Sequence, residues 1–156
     1  MPRKATPTGL KVNVKKLRDD AIIPQYHTED AACFDLYCLD DIHLRSLNGE
    51  PKALKVHTGL AFEIPKGYHM KIFLRSSIGL NTHLRLANQT GIIDADYRGE
   101  VVLLCENVSR YPLNIPKGTR IAQGMIEKNE PVIFNEVKEL GKTKRNTGGL
   151  GSTGKE

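Results

Sequence analysis

An all-β fold, a barrel or jelly roll, is predicted by three features of the chain. Apolar residues recur mostly with period two, Gly and Pro turn signals separate short runs of them, and no stretch carries a convincing amphipathic helix. The 156 residues suit one domain. Taken in order, Leu10, Val12 and Val14 alternate with Lys11 and Asn13, which predicts a first strand with one buried face. Leu54 and Val56, then Leu60, Phe62 and Ile64, keep the same parity, as do Tyr68, Met70, Ile72 and Leu74 against His69, Lys71 and Phe73. Val101 to Cys105 is an unbroken apolar run, expected as a strand buried on both faces. Ser77 to Leu80 has room for a single helical turn. Turns are marked at Asn48-Gly49, Arg98-Gly99, Gly141 and two Ile-Pro-Lys-Gly tetrads, which suit turns with Pro second and Gly fourth.

Composition narrows the class. Hydrophobic residues make up 39% and charged residues 26%, as in ordinary globular domains. No apolar run reaches the ~20 residues of a spanning helix, and the amino terminus lacks an apolar signal core. No membrane association is expected. Cys33, Cys38 and Cys105 form an odd set without zinc-site spacing, so reduced thiols in a cytoplasmic compartment are expected. The net charge of +5 favours anionic partners, yet no aromatic residues interleave with Arg3, Lys4, Lys11, Lys15 and Lys16 to stack bases. Stable nucleic-acid binding is not expected. Residues 1–144 read as the single β domain, with 1–9 expected to be mobile, and 145–156 as a glycine-rich arm.

Five segments carry groups able to do chemistry. In the arm, Gly149-Leu150-Gly151-Ser152-Thr153-Gly154 satisfies G-x-G-x-x-G, but a dinucleotide or P-loop site needs a strand before it and a helix after it. What survives is local: glycine backbone N–H groups can converge on phosphate oxygens, with Arg145, Ser152, Thr153 and Lys155 adding donors and charge. Gly91 to Gly99 contains Asp94 and Asp96, two residues apart and so on one side of an extended chain, where they would repel without a cation or a functional demand. Arg75-Ser76-Ser77 follows the alternating strand. Arg120 and Gln123 are polar donors within the strand-like stretch from Gly118. Asp35 stands between Phe34 and Leu36, and by itself reads as solvent-facing on a half-buried strand.

In this order, the five segments resemble the motifs of the trimeric dUTP pyrophosphatases (dUTPases), over about residues 31–154. Ala32-Cys33-Phe34-Asp35-Leu36 resembles the first motif, Arg75-Ser76-Ser77 the second, Gly91 to Gly99 the third, Gly118 to Gln123 the fourth and Arg145 to Gly154 the fifth. The resemblance implies a jelly-roll-like subunit in a homotrimer with shared active sites, converting dUTP to dUMP and pyrophosphate with Mg²⁺. Such an enzyme keeps uracil out of DNA and supplies dUMP for dTMP synthesis. It further implies Asp94 as the general base, Tyr97 under the deoxyribose, and Asn88 reading uracil from a β-hairpin that includes Gly91 and Ile93. Arg75, Ser76, Ser77 and Gln123 would hold the phosphate chain, and Arg145, Gly151, Ser152 and Thr153 the terminal phosphate. Asp35 would hold waters of a Mg²⁺ that the triphosphate ligates.

Several positions depart from the pattern. Leu150 stands where the family usually places a phenylalanine that stacks on uracil, Cys33 replaces a glycine, Leu74 a proline, and Asn146-Thr147 a glycine-rich pair. No charged or nucleophilic group is lost. Two alternatives stand beside this reading: a dCTP deaminase-like enzyme, whose relatives share the Arg-Ser-Ser element and the fold, and a non-catalytic dUTP-binding regulatory protein. The first would need its base aimed at the pyrimidine ring.

Overall fold

A computed structural model describes residues 9–45 and 53–149. In chain order the strands are β1 (Asn13–Lys16), β2 (Phe34–Tyr37), β3 (Ile42–Leu44), β4 (Leu54–Glu63) and β5 (Tyr68–Leu74). After the short helix α1 (Ser76–Asn81) come β6 (Leu84–Leu86), β7 (Gly91–Ile93), β8 (Glu100–Asn107), β9 (Leu113–Ile115) and β10 (Arg120–Lys128). One four-stranded sheet runs β1-β4-β8-β6 and another β2-β10-β5-β7, with β3 and β9 forming a small third pair. Every pairing is antiparallel. This is the all-β architecture that the alternation predicted, in the jelly-roll-like form that the resemblance implies.

The two larger sheets bury their facing sides in one core. Leu36 from β2, Leu60 from β4, Met70 from β5, Leu84 from β6, Val101 from β8 and Ile121 from β10 are each no more than 1% exposed. Full burial of such side chains contributes about 1.5–3 kcal/mol apiece, so the interleaved pattern across six strands selects this fold. Within β5, Met70 and Ile72 point inward, as their spacing requires. Gly124 on β10 makes room for the Phe34 ring, since a Cβ there would lie 2.6 Å from it.

Four sequence expectations are corrected. Leu10 is 46% exposed and β1 begins only at Asn13, because pairing with β4 starts at Asn13 opposite Glu63. In β8, Val101, Leu103 and Cys105 are buried while Leu104 is 36% exposed, so the apolar run has one core face and one outward face. Apolar character on that outer face serves a cleft described below. The Pro-Lys-Gly turns are shifted by one residue: Tyr68 N–H donates to the Pro65 carbonyl at 3.1 Å, and Thr119 N–H to that of Pro116 at 3.3 Å. Pro is therefore first and Gly third, and Gly67 and Gly118 take φ of +87° and +76°. A turn with positive φ at its third residue favours glycine there. Finally, β6 and β7 belong to different sheets, so residues 87–90 cross between sheets and do not cap a ladder-paired hairpin. The Asn48-Gly49 turn and residues 1–8 lie outside the described residues.

The three cysteines are free thiols. Burial pushes the Cys105 thiol up to about 12, which leaves it a core side chain without nucleophilic character at neutral pH.

Candidate active site

The crossing from β6 to β7 and the start of β8 enclose a cleft of about 280 Å³. Leu86, Asn88, Gly91, Ile93, Asp94 and Tyr97 line it, with Val102 and Leu104 as an apolar wall from the outward face of β8. Gln89, in the crossing turn, takes a left-handed φ of 59°, and its N–H donates to the Leu86 carbonyl at 2.9 Å. That tight turn leaves Asn88 exposed at the cleft's edge. Gly91 lies close to Ile72, whose Cβ would be 3.2 Å from an added Cβ at 91. The segment after β7 differs from its expected form: Asp94 to Tyr97 make a turn, with Tyr97 N–H donating to the Asp94 carbonyl at 3.2 Å. Asp94 and Asp96 are both exposed on it, so no extended strand forces their carboxylates together, and only Asp94 borders the cleft.

Tyr97 donates its hydroxyl to the Glu100 carbonyl at 3.0 Å. Glu100 is itself fastened at the start of β8. Its carboxylate accepts from His57 Nδ1 at 2.8 Å and from the Gly59 N–H at 2.8 Å. These bonds span the irregular register between β4 and β8, where pairing shifts between His57 and Ala61.

A second constellation lies on the outer face of the other sheet. Gln123 on β10 is opposite Asp35 on β2 and Phe73 on β5, and antiparallel partners share a face. Asp35 is not solvent-facing as its sequence neighbours suggested: it is 7% exposed. Arg75 Nε meets Asp35 Oδ1 at 3.0 Å, Arg120 Nη1 meets Oδ2 at 3.0 Å, and His27 Nε2 lies 3.2 Å from Oδ2. Two guanidinium groups against one carboxylate leave a surplus positive charge, a setting suited to an anion. Arg75 also donates to the Arg120 carbonyl at 3.3 Å, and Ser76 and Ser77 stand exposed just beyond it at the start of α1.

The sequence-derived residues thus divide into two groups. Asn88, Gly91, Ile93, Asp94 and Tyr97 share the cleft; Asp35, Arg75 and Gln123 share the charged face, with none of these three among the cleft's lining residues. Arg145 is exposed in a turn of its own, donating from Nε to the Gly148 carbonyl at 2.8 Å. Asn146 in that turn has φ of 43°, a left-handed conformation that Asn tolerates better than most residues, so it can replace glycine there. Leu150, Gly151, Ser152 and Thr153 lie outside the described residues. Sequence reasoning assigned no role to Arg120's grip on Asp35, to His27, or to the His57–Glu100 pair. The pairing of β10 with β2 brings Arg120 to Asp35, the loop before β2 brings His27, and the irregular register between β4 and β8 brings His57 to Glu100; nothing in their local spacing signals it.

Comparisons with known proteins bear on the family and the fold. A family model described as dUTPase matches residues 19–154. The deoxyuridine 5'-triphosphate nucleotidohydrolase of Nautilia profundicola is 42% identical over 146 residues, covering 94% of this chain and 100% of that one. The fold is also that of a Staphylococcus bacteriophage 80alpha dUTPase solved with dUPNHPP, at a TM-score of 0.81 and 24% identity, covering 92% of this chain and 98% of that one. A mutant dUTPase from phage phi11 of S. aureus, described with a structural Mg(II) ion, gives a TM-score of 0.73 at 22% identity, covering 83% and 98%. With the family model matching residues 19–154 and a relative 42% identical over its full length, the chain belongs to the dUTPase family.

Proposed function

We propose that this chain hydrolyses dUTP to dUMP and pyrophosphate, as a dUTP diphosphatase. The observation that carries the reading is the turn after β7, which sets a carboxylate, Asp94, and an aromatic ring, Tyr97, side by side in a cleft of nucleoside size beside Asn88. In the mechanism, Asp94 takes a proton from the water that attacks phosphorus, a step worth ~10²–10⁴-fold. Tyr97 lies under the deoxyribose and leaves no space for a 2′-hydroxyl. Asn88 and the turn backbone read uracil. Rejecting cytosine leaves buried donors facing donors, at ~1–3 kcal/mol each. Arg75, Ser76, Ser77 and Gln123 bind the phosphate chain, and Arg145 with Gly151, Ser152 and Thr153 closes over its end, with Leu150 covering the base. The test is dUMP and pyrophosphate release from dUTP beside UTP, dTTP and dCTP.

Mg²⁺ fits this set in a limited way. Among the described residues no three His, Cys, Asp or Glu side chains gather to hold a metal directly. Asp35 meets Arg75 through Oδ1 and both Arg120 and His27 through Oδ2, so Oδ1 alone keeps a lone pair beyond these partners, which suits water-mediated support of an ion borne mainly by phosphates. When bound, the ion supplies charge neutralisation on the triphosphate. Asp35's own part is to hold Arg75 and Arg120 in place.

The same reading takes the assembly to be a homotrimer with shared sites. The division of the sequence-derived residues between a cleft and a separate charged face supports it, because a second copy can bring one group to the other. Sedimentation should report a mass three times that of the chain; a monomer with full activity would refute shared sites. No helix among the described residues is long and apolar enough to cross a membrane, and the reading places the enzyme in the cytoplasm, the host's if the source is viral.

A further inference from the structure

We propose that Gly99 is a specificity-determining positioning residue: its missing side chain is the space in which the Tyr97 ring lies, and this sets the depth of the sugar slot. The inference rests on the hydrolase reading and deepens it. A Cβ built at Gly99 would lie 2.6 Å from Tyr97 Cζ and 3.0 Å from Cε2, with the hydroxyl oxygen closer still. Ordinary contact begins near 3.4 Å, so any side chain at 99 has to displace the ring. Backbone strain is not the reason for glycine here. Positive φ occurs at Gly59, Gly67 and Gly118 among the described glycines, and not at Gly99, so alanine fits the backbone, and the three atoms nearest its Cβ all belong to the Tyr97 side chain.

The hydroxyl end of the ring lies against Gly99, and Tyr97 is 46% exposed, bordering the cleft beside Asp94. Its hydroxyl is tethered to the Glu100 carbonyl at 3.0 Å, and Glu100 is anchored by His57 and the Gly59 N–H. Gly99 and Glu100 therefore act as a seat and a tether. Because the conflict is with the far end of a rotatable side chain, displacing it costs folding little. It costs geometry much more, since a misplacement of about 1 Å can lower turnover about 10²-fold.

The test compares wild type, Gly99→Ala, Tyr97→Ala and the double variant, measuring kcat and KM for dUTP and UTP together with thermal midpoints. Gly99→Ala is expected to lower the preference for dUTP over UTP by about 10²-fold, while moving the midpoint by less than about 4 °C. In the Tyr97→Ala background the same change is expected to have no effect on that preference, because the seat has nothing to hold. Unchanged discrimination in Gly99→Ala, or a further loss in the double variant relative to Tyr97→Ala, overturns the proposal. The comparison of Tyr97→Ala with the double variant stands even where Gly99→Ala alone fails to fold. Calorimetric binding of a non-hydrolysable dUTP analogue and its ribose counterpart repeats the series without turnover. Absence of dUTP hydrolysis by the wild type thus counts against the hydrolase reading, and only the variant pattern counts against Gly99.

Discussion

The cleft at β7 and β8 and the charged face around Asp35 are built by opposite means. In the cleft, backbone and shape do most of the work: a left-handed residue at Gln89, a close approach at Gly91, and a turn from Asp94 to Tyr97. On the charged face, Asp35 ties Arg75, just past the end of β5, to Arg120 on β10, and almost nothing is local. A site that selects a base and sugar by exclusion needs a wall that does not yield. A site that binds phosphates needs cations kept apart from one another and oriented, which a buried carboxylate between them provides.

That contrast has measurable consequences. Asp94→Asn is expected to cut kcat by at least ~10²-fold with dUTP binding retained, because it removes the base without changing the shape of the cleft; near-normal rates would take Asp94 out of the base role. Asp35→Asn should act on the other region. With two guanidinium groups left facing a neutral amide, stability is expected to fall by about 2–3 kcal/mol in urea titrations, together with a raised KM for dUTP. A variant as stable as wild type would show that the arginines do not depend on Asp35. Leu150→Phe adds an aromatic face over the base and is expected to lower KM by the few-fold that ~0.5–1.5 kcal/mol of stacking provides. An equal or higher KM counts against a stacking lid.

The smallest effect concerns neither region and serves as a baseline. Lys117, and then Arg18, hold the Asp20 carboxyl down at about 2 against an ordinary 3.8. The folded value is depressed, so this contribution is complete above 3.8 and is lost as pH falls through about 2. Asp20→Asn should leave stability unchanged below that window and slightly lower above it, since both partners are exposed and screened. A large loss at neutral pH would show that the surface pair matters more than its exposure allows.

Local patterns made much of the fold legible. Alternation from Tyr68 to Leu74 placed Met70 and Ile72 in the core, and the same parity carried from Val56 to Phe62. The run from Val101 to Cys105 misled because apolarity is the same whether a side chain faces a core or a surface cleft. Asp94 and Tyr97, which the resemblance singles out, lie in one short segment, and a local turn brings both to the cleft. Asp35 could be named, but its burial could not be foreseen: Arg120 lies 85 positions away and reaches it only through the pairing of β10 with β2.

The central claim is tested most directly by following dUMP and pyrophosphate production from dUTP, with Mg²⁺ and with the metal chelated, beside UTP, dTTP and dCTP. The expected result is rapid Mg²⁺-dependent release of dUMP and pyrophosphate from dUTP alone. Tight dUTP binding with no turnover, or equal turnover of UTP, would contradict the account.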